Sequence, residues 1–196
     1  MVYVFIANIE SLPDALENPE ILDTLPDERK EKIIRIKRAH ERKQSLGAGL
    51  LLEYAKKYLG EEYNYNLSHS GDYVLCAASK LAVGCDLERI KEAPMKVARR
   101  HFCESEVAYL NQTPTKRLDN EFFRIWTIKE SYMKMMKKGL SMGLGTFEVV
   151  LGDEIKLFKD GQILDCYIKE YDLEGYKISI CSEDNCYMER MLVVKI

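Results

Sequence analysis

No run of this chain approaches the roughly 18–20 consecutive apolar residues that a membrane-spanning helix needs, so a helical membrane protein is not expected. Nor does charge of one sign dominate. Lysine and arginine number 29 against 32 aspartates and glutamates, a formal net charge of −3, and no bulk attraction to nucleic acid follows. The opening residues, MVYVFIANIE, have neither a basic leader nor a long apolar run and read as a short strand rather than a secretion signal. Cys76, Cys85, Cys103, Cys166, Cys181 and Cys186 are scattered, mostly in apolar segments. That pattern fits reduced thiols in a cytoplasmic protein better than a disulfide framework. Cys181 and Cys186 flank SEDN, but without a second pair or a nearby histidine they read as strand residues of a hairpin, not as a metal knuckle. What is present is ordinary globular composition, 46% hydrophobic and 31% charged in 196 residues, enough for one large core or two small ones.

Periodicity predicts a first strand at about 2–9 and helices at about 13–22, 28–40 and 41–59. Asp27 and Glu28 after Pro26 suit a helix start, where acids meet the positive end of the dipole. Short strands separated by polar turns follow, up to about residue 90. A helix opened by Pro94, a short one over CESEVAYL and a longer one at about 117–137 come next, with TPTKRLDN as the surface loop before the last. Strands at about 146–151, 154–158, 163–171, 175–182 and 187–195 complete the chain. This order reads as an α+β protein of two pseudo-duplicated α/β halves, residues 1–83 and 84–196, with a ligand expected in the cleft between them.

Two stretches carry chemistry. In VGCDLERI (83–90), read as a strand, Asp86 and Glu88 share one face while Val83, Cys85 and Leu87 take the other. In EFFRIWTIKESYMKMMKKGL (121–140), a broad apolar arc runs through Phe122, Phe123, Ile125, Trp126, Ile128, Tyr132 and Met133, opposite a polar side of Arg124, Thr127, Ser131 and Lys138. Lys129 and Glu130 break that division. Glu130 with Lys134 could be an ordinary i,i+4 pair contributing about 0.3–0.5 kcal/mol, and Lys129 could lay its stem on apolar surface with its ammonium in water. Two strand carboxylates and one helix carboxylate nevertheless form a hard-oxygen donor set suited to Mg²⁺, which keeps waters and completes its shell with phosphate oxygens. Three crowded acids would repel one another without a cation, and neighbouring lysines make sense if a polyphosphate is also bound. In NLSHSGD (66–72), a Ser-His-Ser-Gly turn with open backbone N–H groups would suit phosphate, although a lone histidine is more often a capping or core residue. The basic side chains of DERKEKIIRIKRAHERKQS read equally well as a solvated helix face.

LSHSGDYVLCA, VGCDLERI, ARRHFCESE and WTIKESYMK…KGLS occur in the order and approximate spacing of the 4′-phosphopantetheinyl transferases. The chain resembles the monomeric two-half type that activates surfactin synthetase more than the shorter trimeric holo-acyl-carrier-protein synthases. The resemblance runs from about residue 64 to 147 and more loosely from about 26 to 60. It implies transfer of the phosphopantetheine arm of coenzyme A to a serine of an apo carrier protein, with release of 3′,5′-ADP. Asp86, Glu88 and Glu130 would hold Mg²⁺, and Glu88 or Glu130, directly or through water, would take the serine proton. Lys134 would stabilise pyrophosphate charge, and Lys129 would match the motif lysine at the coenzyme A site. Trp126 would pack behind the site and Glu106 would organise it. His69 and Ser68 would meet the nucleotide phosphate together with Arg29 and Lys32. The family's Gly-Lys-Pro segment is missing from YLGEEYNYNLSHS, so no residue is assigned to adenine. Neither nucleic acid nor membrane is an expected partner. Residues 102–110 and 111–120 could dock the carrier or simply pack. The alternative is a catalytically impaired coenzyme A-binding or regulatory protein on the same scaffold.

Overall fold

The structure, a computed structural model, describes residues 1–137 and 142–196. Lys138 and the KGLS part of the motif lie outside the described residues.

The first half opens with β1 (Tyr3–Asn8), passes through α1 (Pro19–Leu22), α2 (Asp27–Ile34) and α3 (Ala39–Leu59), and closes with the hairpin β2 (Asn64–Ser70) and β3 (Tyr73–Ser79). β3 lies between β1 and β2, antiparallel to both. The second half begins with β4 (Val83–Arg89), continues through α4 (Met95–His101), α5 (Glu104–Gln112) and α6 (Thr115–Met135), and adds a small sheet of β5 (Glu148–Val150), β6 (Lys156–Lys159) and β7 (Gln162–Ile163). It ends in the hairpin β8 (Tyr167–Leu173) and β9 (Tyr176–Ser182), with β9 between β4 and β8 and antiparallel to both. Strand, 21-residue helix and hairpin, with the last strand in the middle of the sheet, therefore occur twice. This mixed α/β duplication is the one the element order predicts.

Period-two alternation builds the core in three layers. Val4, Ile6, Leu75 and Ala77 face Cys85, Leu87, Ile178 and Ile180 across the two sheets. The other face of the first sheet, with Phe5, Val74, Cys76 and Ala78, packs on Leu46, Leu51 and Ala55 of α3. The apolar arc of α6 joins Phe102, Leu110, Phe147 and Leu157. Phe102 and Leu110, within the stretch considered for docking, are thus core residues. Each such side chain contributes about 1.5–3 kcal/mol by burial.

β4 turns Gly84, Asp86 and Glu88 toward α6. A Cβ on Gly84 would stand 2.1 Å from the Ser131 carbonyl oxygen and 2.3 Å from the Met135 nitrogen, so helix and strand touch backbone to backbone. Gly84→Ala is expected to push α6 off β4 and destabilise the protein by about 3 kcal/mol, a shift that a urea denaturation midpoint measures. The same closeness buries Thr127 and Ser131, expected on the polar side of the helix. Thr127 Oγ1 lies 2.9 Å from Ser179 Oγ on β9, so both hydroxyls are satisfied inside the protein.

Several boundaries differ from the periodic reading. The expected helix at 13–22 is reduced to α1, because Asp14 accepts the Leu16 N–H and pairs with Arg42, fixing a turn there. The helix from residue 28 stops at Ile34. Arg42 donates to the Ile36 and Lys37 carbonyls, which leaves them unavailable to a continuing helix. TPTKRLDN is helical from Thr115, since Pro114 at the cap needs no hydrogen-bond acceptor for its missing N–H. The expected strand at 187–195 contracts to β10 (Leu192–Val193), which crosses back to pair in parallel with β1. Tyr187 already bridges to Val2, so Cys181 and Cys186 flank a crossover rather than a hairpin, and the last residues of the second half belong to the first sheet.

Candidate active site

Asp86 and Glu88 project together from β4, and α6, lying across that face, brings Glu130 and Lys134 to them. Burial raises the pKa of the Glu130 carboxyl, and the charges of Asp86 and Glu88 raise it further. Glu88 is likewise raised, first by burial and then by Asp86, against a lowering hydrogen bond from Ser70. The three acids thus share one field. Lys134 donates to Asp86 Oδ1 at 2.7 Å, and to Ser68 Oγ and the Cys85 carbonyl at 3.1 Å each. Burial works against its ammonium, but Asp86, with Cys85 and Glu130, outweighs that and its pKa rises.

Asp86 is only 4% exposed, and its Oδ2 is buried with no hydrogen-bond partner. Leaving a buried acceptor unmade costs about 1–3 kcal/mol, more when it is charged. An orphaned carboxylate oxygen beside two further carboxylates fits a hard cation. Among the described residues, no three His, Cys, Asp or Glu side chains already converge as a metal cluster. Lys134 supplies the positive charge at Asp86 instead.

The expected Ser-His-Ser turn is a strand. Asn64–Ser70 is β2, its backbone is paired with β3, and Gly71 with Asp72 makes the turn. Gly71 has φ +54°, and a Cβ there would meet the Tyr176 hydroxyl at 2.4 Å. The tip is held by Tyr176, whose hydroxyl accepts the Asp72 N–H. Open backbone donors are therefore not what this segment offers. Its side chains divide by face: Ser68 and Ser70 reach the acids of β4, and His69 points the other way. Partial loss of hydration, then the charges of Lys134, Arg29 and Lys32, lower the His69 pKa. Arg29 donates to the Ser45 carbonyl at 3.1 Å and keeps a buried, unpartnered Nε. With Lys32 and Lys56 it lines a recess of about 370 Å³ between α2 and α3. A separate cavity of about 840 Å³, bordered by Arg124, Asp165, Lys169 and Glu170 among others, holds none of the candidate residues.

Lys129 is the exception among the predicted site residues. It is fully buried, and its ammonium is spent on Glu106 at 2.7 Å and on the Leu144 and Phe147 carbonyls at 2.7 and 2.6 Å, over the Phe147 ring. In this arrangement all three of its donors are turned inward, away from the expected place at coenzyme A. Its partner Glu106 also accepts the Cys103 and Val149 N–H groups, and it ties α5, α6 and β5 together. Trp126 stacks on Phe122 in the same core.

Sequence reasoning missed Ser70 and Asn66. With Ser68 they form a polar i, i+2, i+4 series along β2. Each side-chain oxygen accepts one N–H of β4: Cys85 to Asn66 at 3.0 Å, Leu87 to Ser68 at 3.2 Å and Arg89 to Ser70 at 3.1 Å. The constant offset from 66, 68 and 70 to 85, 87 and 89 was the available signal. It appears only once both segments are read as strands.

A family model described as "4'-phosphopantetheinyl transferase superfamily" matches residues 82–181. The 4'-phosphopantetheinyl transferase gsp of Aneurinibacillus migulanus is 36% identical over 132 residues, which are 66% of this chain and 56% of that protein. The 4'-phosphopantetheinyl transferase Sfp of Bacillus subtilis strain 168 is 31% identical over 153 residues, 72% of this chain and 66% of that protein. The chain thus spans slightly under two thirds, or less, of the length of these relatives. A crystal structure of a holo-(acyl-carrier-protein) synthase from Bacillus anthracis in complex with coenzyme A overlaps 52% of this chain and 94% of its own, at 14% identity and a TM-score of 0.44.

Proposed function

The chain belongs to the 4′-phosphopantetheinyl transferase superfamily, and from that premise we propose that it transfers the phosphopantetheine arm of coenzyme A to a serine hydroxyl of an apo carrier protein in a Mg²⁺-dependent reaction. The observation that supports this reading is the orphaned, buried Asp86 Oδ2 beside Lys134, with the half-buried Glu88 and Glu130 sharing its field. Asp86, Glu88 and Glu130 would hold the ion. Mg²⁺ bound there supplies Lewis-acid polarisation of a diphosphate.

The chain's own residues have three tasks. Arg29, Lys32 and His69 hold the nucleotide phosphates, with Ser68 at the boundary to the acids. Lys134 sets positive charge where negative charge accumulates on the diphosphate oxygens, an interaction that strengthens as the reaction proceeds. Glu88 or Glu130, directly or through a water, accepts the proton of a serine hydroxyl that is a poor nucleophile at neutral pH. The serine oxygen bonds to the β-phosphorus, the bond from that phosphorus to the bridging oxygen breaks, and its electron pair leaves with 3′,5′-ADP. Strand β2 comes from the first half and the acids from the second, which supports the reading of a single chain that works as a monomer.

The test is incubation with coenzyme A, Mg²⁺ and a panel of apo acyl, peptidyl and aryl carrier domains. The expected result is a carrier mass gain equal to the phosphopantetheine arm, with 3′,5′-ADP in the supernatant. Coenzyme A binding without transfer to any carrier would instead mark a binding protein on this scaffold.

A further inference from the structure

Among the described residues, no backbone ladder joins β2 to β4 where the two half-sheets meet. Along the seam between β2 and β4, Asn66, Ser68 and Ser70 stand in for a strand edge by accepting the N–H groups of Cys85, Leu87 and Arg89. Two of the three do more. Ser68 Oγ donates to Asp86 Oδ1 at 3.0 Å, and Ser70 Oγ donates to Glu88 Oε2 at 2.7 Å. A hydroxyl has one proton. Because Ser70 Oγ accepts from the Arg89 N–H, its proton is aimed at Glu88, and the direction of that bond is set by the β4 backbone itself. Glu88 is a long side chain on a strand that ends one residue later, at Arg89, and Ser70 is the hydrogen-bond donor the structure gives its carboxylate. Asn66 makes the same kind of seam bond but touches no carboxylate.

We infer that Ser70 is a positioning residue: its seam-locked hydroxyl holds the Glu88 carboxylate turned toward Asp86 and Glu130, in readiness for a divalent cation. The inference rests on the proposed function for the use to which that carboxylate is put, and on the seam geometry alone for the positioning. Partners that orient a metal-ligating side chain typically change metal affinity or activity by about 10–100-fold when removed.

The test compares wild type, Ser70→Ala, Ser70→Thr and Asn66→Ala. Binding of Mn²⁺, as a paramagnetic substitute, is followed by the electron paramagnetic resonance of the free ion, and kcat and KM for transfer are measured beside it. Ser70→Ala is expected to weaken Mn²⁺ binding and lower kcat by about 10-fold or more, with KM for coenzyme A little changed. Ser70→Thr, which keeps the hydroxyl, is expected to restore both. Asn66→Ala is expected to stay within about twofold of wild type in Mn²⁺ affinity, although its loss of a seam bond resembles that of Ser70→Ala. Should Ser70→Ala not fold, Ser70→Cys, which keeps the volume with a much weaker donor, carries the same comparison. Wild-type Mn²⁺ affinity and kcat in Ser70→Ala overturn the inference, as does an equal loss in Asn66→Ala, which would reduce Ser70 to a seam contact. If the wild type itself neither binds Mn²⁺ nor transfers the arm, the proposed function falls and this inference with it. A wild type that does both while Ser70→Ala matches it removes the inference alone.

Discussion

Asp86→Asn is expected to abolish phosphopantetheine transfer, by about a thousandfold or more, while the protein stays folded. The amide has the shape of the carboxylate and can still accept from Ser68, so the hydrogen bond at 3.0 Å survives. What disappears is the charge that holds Lys134 at 2.7 Å and the buried anionic oxygen that has no partner. Several kcal/mol of Lewis-acid stabilisation would be lost with the cation, and about 1.4 kcal/mol is a factor of ten in rate. Mass spectrometry of the carrier measures the transfer, circular dichroism the fold, and Mn²⁺ titration the cation. Wild-type turnover with Mn²⁺ still bound would remove Asp86 from the cation site.

The second large effect is on stability. Glu106→Ala leaves the Lys129 ammonium charged and fully buried, and it strips the Cys103 and Val149 N–H groups of their acceptor. Breaking a buried ion pair from one side costs about 3–5 kcal/mol, against a total of about 5–15 kcal/mol for a typical domain. Urea denaturation should show a protein near the edge of folding at room temperature. Glu106→Gln combined with Lys129→Met removes both charges and keeps an acceptor, and it should recover most of the loss. This pair of variants also decides what Lys129 does. If the double variant is folded but binds coenzyme A more than about tenfold worse, Lys129 touches the ligand after all. Unchanged affinity leaves it as the internal brace that sets the pitch of α6, and hence of Glu130.

The legibility of this molecule in its sequence follows the strength of its periodicities. Asp86 and Glu88 could be paired on one face because a strand alternates with period two whatever surrounds it. Lys129 and Glu130 could be picked out because they interrupt an otherwise regular helical arc, and Lys134 because it stands one turn beyond Glu130. The duplicated plan showed in the order of elements alone. Other features depend on partners distant in the chain. NLSHS has the composition of a turn and becomes a strand only because β3 supplies its ladder. Lys129 carries the same charge and motif position as a ligand-binding lysine, and only the depth at which Glu106, Leu144 and Phe147 meet it shows that its donors are already committed. Thr127 and Ser131 look solvent-facing until the absent side chain of Gly84 lets β4 come within touching distance of the helix.

The duplication is chemically lopsided. β1 and β4 occupy equivalent places in the two repeats, yet β1 reads YVFIAN and devotes both its faces to apolar packing, whereas one face of β4 carries acids. Among the described residues, β1 therefore carries no carboxylate at the place where β4 carries two. A calorimetric titration should reach its end point at one equivalent of divalent ion per chain, not two.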